Sequence, residues 1–100
     1  AFYHGKAWQR TAEAARIRAR YADEVIYAET GRIVPGAVVH HIEPIGENPA
    51  RKLDMDNLIF VSARTHKEIH DAYQKNPRAK RAMQEKLAAI RRKIDGAGEG

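Results

Sequence analysis

Between about Lys6 and Tyr21, the apolar positions Trp8, Ala12, Ala15 and Ala19 recur at helical spacing in an Ala- and Arg-rich stretch. The pattern predicts an amphipathic helix anchored by Trp8, with Ile17 and Tyr21 widening its apolar face. Residues 1–5 read as an extended lead-in with Phe2 and Tyr3 as aromatic anchors. Val25-Ile26-Tyr27 and Ile33-Val34, separated by Glu29-Thr30-Gly31-Arg32, predict two short strands. Pro35-Gly36 marks a turn, and Ala37 to Ile42 a further strand. This gives a compact hairpin region whose last strand carries His40 and His41. Residues 43–56 read as a long surface loop, a length that in a small domain points to function or disorder. Asn57 to Val61 is the most strand-like run. Ser62 then caps a helix over Ala63 to Gln74, with His66, Ile69, His70 and Tyr73 on one inward face. Asn76-Pro77 starts a last helix with the stripe Met83, Leu87, Ile90 and Ile94. Residues 96–100 are expected to be a disordered tail, and there is no internal repeat.

One hundred residues, 43% hydrophobic and 31% charged, suit a single α+β domain over residues 1–95 with a modest core. No apolar run nears the roughly 20 residues that cross a bilayer, and no leader precedes the first helix, so no membrane partner is expected. The chain begins at Ala1 instead of Met, as a trimmed fragment would. Cysteine is absent, which excludes disulfides, thiolate catalysis and Cys-ligated zinc. The net charge of +5 suggests an anionic partner, and its distribution says more: residues 1–50 hold 6 Lys/Arg against 6 Asp/Glu, residues 51–100 hold 12 against 7.

Four of the five histidines fall at 40, 41, 66 and 70. Neighbours on a strand point to opposite sides, so His40 and His41 divide their work; one can be a metal ligand and the other a base. His66 and His70, one helical turn apart, form a natural pair for one ion. With His40 they make three imidazoles converging between hairpin and helix, leaving positions for water and a phosphate oxygen.

The order His40-His41, then Asp54-Met55-Asp56-Asn57-Leu58, then His66 and His70 on a helix resembles the HNH endonucleases, also called ββα-metal or His-Me finger nucleases. The match covers roughly residues 25–72, with Asn57 and His66 nine positions apart as in the colicin-type branch. Phe2-Tyr3 with Trp8 is similar to the aromatic lead-in of phage-type members. The resemblance implies a β-hairpin, a loop and a helix around one divalent ion. It implies His41 as general base, His40, His66 and His70 as metal ligands, and Asn57 as the residue that holds the loop and orients the base. It further implies hydrolysis of DNA, double-stranded DNA foremost, to 5′-phosphate and 3′-hydroxyl ends. Imidazole changes its proton near neutral pH, as such a base must. Three imidazoles favour zinc or nickel in affinity, whereas relatives often work with magnesium or manganese, so the ion is Mg²⁺, Mn²⁺, Ni²⁺ or Zn²⁺. Many relatives bind a structural zinc through two Cys-x-x-Cys pairs. Tyr27 with Thr30 and Ser62 with Thr65 occupy those places here. The hairpin must then be held by packing of Tyr27, Val61 and the flanking helices, and the motif alone should be unstable.

Taken singly, each histidine pair is more often packed and hydrogen-bonded than metal-binding; their joint occurrence with Asn57 reverses that preference. His4 matches nothing. Asp54 and Asp56 serve better as loop caps than as ligands, and Glu43 is a weaker candidate for supporting His41 from behind. Eight basic residues against one acidic between Lys75 and Lys93 suit a phosphate-binding face as well as a solvated one, while Arg64 and Lys67 on the motif helix are the favoured direct phosphate contacts. Two readings compete with a free-standing nuclease: a non-catalytic nucleic-acid-binding module with a structural ion, and a nuclease subunit active only beside a partner such as a phage packaging complex. A cytoplasmic location in a bacterial or phage-infected cell goes with all three.

Overall fold

A computed structural model describes the backbone of residues 1–97 and the side chains of residues 1–93. Its elements are a short 3-10 turn at Phe2–His4, α1 (Lys6–Arg18), α2 (Glu24–Thr30), β1 (Val38–His41), β2 (Leu58–Val61), α3 (Ala63–Lys75) and α4 (Pro77–Ala97). The architecture is α+β. β1 and β2 form a two-stranded antiparallel ribbon, with Val38 opposite Val61 and His41 opposite Leu58.

Three local expectations are corrected. Residues 24–30 are helical, because the Asp23 side chain caps the Ile26 N–H at 2.8 Å and Gly31, at φ 74°, closes the other end. These end signals outweigh the β-branched Val25-Ile26 pair. The ribbon therefore pairs β1 with β2 across the 43–56 loop, and only an isolated bridge, Ala22 to Pro35, remains upstream. Residues 2–4 coil instead of extending. The last helix runs to Ala97, so residues 96 and 97 are not tail; residues 98–100 lie outside the described residues, as does the side chain of Ile94. The caps at Ser62 and Asn76 form as expected, at 3.2 Å to Thr65 N–H and 2.7 Å to Ala79 N–H. No helix among the described residues is long and apolar enough to cross a membrane.

The ribbon separates two apolar clusters. Val25, Ile42, Ile59, Val61, Ile69, Leu87 and Ile90 pack between the ribbon and α2, α3 and α4. Trp8, Ala12, Ala15 and Leu58 pack on the α1 side, joined by Phe2, Val39 and Met55. Alternation along β1 follows from this: Val38 and Ile42 go to the first cluster, Val39 to the second.

Tyr27 is half exposed, so the packing expected of it is not what holds the ribbon; two buried carboxylates, Asp23 and Glu24, bond the second strand and its end. Asp23, fully buried, accepts from Ser62 N–H at 2.7 Å as well as from Ile26. Burial acts to raise its pKa, but the bonds from Ile26, Ser62 and Thr65 prevail and hold it below the usual 3.8. Glu24, also buried, accepts from Phe60 N–H at 2.9 Å and from the buried guanidinium of Arg91 on α4. Removing one partner of such a pair costs about 3–5 kcal/mol. Arg18, at the end of α1, donates to Met55 O at 2.7 Å and Leu58 O at 2.5 Å, bracketing Asn57.

Candidate active site

Asn57 is completely buried, and its side chain does nothing but hold backbone. Its Oδ1 accepts from Glu43 N–H at 2.8 Å; its Nδ2 donates to Glu43 O at 3.0 Å and Arg51 O at 3.3 Å. One amide thus ties the start of the long loop to its far end. The loop's own side chains complete the tie: Arg51 donates to Glu43 at 2.7 Å and Asp54 at 2.8 Å, and Asp54 accepts from Asp56 N–H at 2.9 Å. Asp54 thus fastens the loop as its position suggested, and Glu43 fastens it too, in place of the support for His41 expected of it.

The held loop presents Lys52 O to the imidazole of His41, 2.9 Å from Nε2. A carbonyl can only accept, so Nε2 carries the hydrogen, and in the neutral ring Nδ1 is the bare nitrogen. The other side of the ring is fixed by the indole of Trp8, stacked at 5.0 Å and 24°, with Phe2 at 6.3 Å and Tyr3 at 6.5 Å between ring centres. His41 is buried at 7% exposure.

His40 points to the opposite side of β1, and its Nε2 lies 3.2 Å from the Tyr73 hydroxyl. That hydroxyl gives its one hydrogen to Ile42 O at 2.6 Å, so Tyr73 accepts from His40 Nε2–H, and again Nδ1 is left with a free lone pair. Burial, then the neighbouring imidazoles of His66 and His41, push the His40 pKa down to about 4, which keeps the ring neutral. Burial likewise pushes the Tyr73 phenol well up, so it stays a hydrogen-bonding hydroxyl.

The ring centres of His40 and His66 are 5.5 Å apart. Two imidazoles sharing one tetrahedral ion, each with its ring centre about 3.2 Å from it, stand about 5 Å apart, so this pair fits a divalent cation. His70 does not join them. It is exposed on α3, and among the described residues no three His, Asp or Glu side chains converge as a metal group. The inward direction expected for both α3 histidines holds for half-buried His66 only. The place beside His40 that His70 was expected to share is taken by Tyr73, two helical turns after His66.

Arg64 and Lys67 are exposed on α3, each near its own carboxylate: Glu68 at 3.9 Å and Asp71 at 2.8 Å. Sequence reasoning missed the roles of Tyr73 and Lys52. Tyr73 was legible as an inward residue in register with His66. Lys52 acts through its backbone, which leaves no mark in residue type.

A two-stranded ribbon packed on a helix, with a His-His dyad on the first strand, a loop-holding Asn before the second and a His on the helix, is the fold of the HNH endonucleases. Among solved structures, the chain is similar to the HNH endonuclease of the deep-sea thermophilic bacteriophage GVE2, determined with a manganese ion. The TM-score is 0.70 at 28% identity, covering 74% of this chain and 79% of that one. No family model matches the sequence, and no curated protein does either. The likeness supports nuclease activity in general and a divalent ion as its companion.

Proposed function

We propose that this protein is a metal-dependent endonuclease that hydrolyses DNA phosphodiester bonds, with His41 as general base. The observation that carries the reading is the hydrogen bond from His41 Nε2 to Lys52 O, which leaves Nδ1 as a directed proton acceptor. Nδ1 takes a proton from water, the resulting hydroxide attacks phosphorus, and the bond to the 3′ oxygen breaks. The products are a 5′-phosphate and a 3′-hydroxyl, the latter protonated by solvent. Trp8 and the loop hold the ring during the transfer, and Asn57 holds the loop. His40 and His66 are the residues that would hold the cation, His40 through a ring that burial keeps neutral. When bound, it supplies positive charge to the phosphoryl oxygens as negative charge builds there. His70 is left out of the ligand set because it stands exposed and apart. Mn²⁺, the ion in the GVE2 structure, is the first to test.

Supercoiled plasmid incubated with the protein and Mn²⁺, Mg²⁺, Ni²⁺ or Zn²⁺ should be nicked or linearised with at least one of them. Binding without cleavage under all four would instead support a nucleic-acid-binding module.

A further inference from the structure

Cleavage needs a positive group beside the base to receive the phosphate, and the basic residues around this site differ in one respect. Arg51 is engaged by both Glu43 and Asp54. Arg64 and Lys67 face Glu68 and Asp71, and Lys80 pairs with Glu47. Each of these charges is offset by a neighbour of opposite sign. Lys52 is the exception: it is exposed, and among the described residues no carboxylate pairs with its ammonium.

Its position is set twice. The Lys52 carbonyl accepts from His41. Its Nζ lies 5.5 Å above the centre of the Phe2 ring, and that ring stands 6.3 Å from the His41 ring. The ring face attracts the ammonium but cannot accept all three N–H donors, which remain available to an anion. One aromatic ring therefore links the base to a cation that no carboxylate among the described residues pairs with.

We infer that Lys52 is the phosphate-binding cation of this site: its Nζ takes a non-bridging oxygen of a DNA phosphodiester while its own carbonyl orients the base that acts there. The inference rests on the nuclease reading given above and displaces Arg64 and Lys67 from that role. Because the orienting group is backbone, side-chain replacement separates the two functions of Lys52.

The test is duplex binding in EDTA, where cleavage cannot intervene. Dissociation constants of a labelled DNA duplex are measured from low to physiological NaCl for the whole chain and for Lys52→Gln, Lys52→Arg and the double variant Arg64→Gln/Lys67→Gln. One lost phosphate contact lowers the slope of log affinity against log salt by about 0.9. Lys52→Gln should show that drop, Lys52→Arg should keep the wild-type slope, and the α3 double variant should change it less than Lys52→Gln does. An unchanged slope in Lys52→Gln overturns the inference, as does a drop confined to the α3 variant. The plasmid assay keeps the two readings apart. If Lys52→Gln shows the expected slope drop but the wild type fails to cut with any of the four ions, the nuclease reading falls and the phosphate contact stands; if the wild type cuts and the Lys52→Gln slope equals its own, the contact alone falls.

Discussion

His40 and His41 are adjacent on one strand and live in opposite surroundings. His41 is finished by the protein itself: a carbonyl fixes one ring nitrogen and an indole fixes the plane. His40 has a hydroxyl on one nitrogen and beside it only His66, a pair whose free valences suit an ion. On the proposed function, the side that moves a proton is pre-organised by the protein, while the side that carries charge is completed by a metal. The two sides should then fail differently when broken.

The largest separation is expected from His41→Ala. Loss of a general base lowers the cleavage rate by about 10²–10⁴-fold, whereas Mn²⁺ affinity by calorimetry should stay within about twofold of wild type. Equal damage to both would merge the two sides and end the comparison. Tyr73→Phe should do the converse. It removes the acceptor that fixes His40, so metal affinity should fall by about 10–100-fold, with the rate largely restored at saturating metal. A smaller effect is predicted at Trp8. Trp8→Leu keeps apolar bulk but no flat face, and misplacing the base should lower kcat by about tenfold with little change in KM for DNA; Trp8→Phe should recover most of it. If the Leu and Phe variants lose the same factor, the indole serves packing alone.

The smallest effect concerns the carboxylate clasp of Asp23 on the end of β2. A carboxylate whose folded pKa lies below its unfolded value contributes stability that is present above the unfolded value and is lost as pH falls through the folded one. Asp23 is held below 3.8, so the melting temperature of the wild type should exceed that of Asp23→Asn at pH 6 by about 5 °C. The gap should close on descent below about pH 4. A gap that is constant from pH 6 to pH 2 would show that charge on Asp23 contributes nothing.

The placement of the strand histidines was more legible in the sequence than the frame around them. Alternation along β1 and the cap at Ser62 are local rules, so the opposite orientations of the two histidines and the start of α3 could be read directly. The same kind of reading failed at 24–30, where Asp23 and Gly31 outweighed Val25-Ile26. The partners of Glu24 were beyond reach for another reason: Arg91 lies 67 residues away, and no periodicity links the two. His70 shows the limit of spacing arguments. A residue one turn from His66 shares its face, yet α3 crosses the ribbon so that its later residue, Tyr73, meets His40.

The pairing of Glu24 with Arg91 also orders events in time. On a growing chain the ribbon, the loop and the site histidines leave the ribosome before α4, and until then the carboxylate beneath β2 lacks the buried guanidinium of Arg91, with Arg18 of α1 at 3.9 Å as a charge partner. Docking of the last helix adds the buried partner and so completes the seating of the ribbon on α2. The frame is thus completed from its far end, and a chain stopped just short of Arg91 would hold every candidate catalytic residue without the guanidinium that closes the frame beneath them.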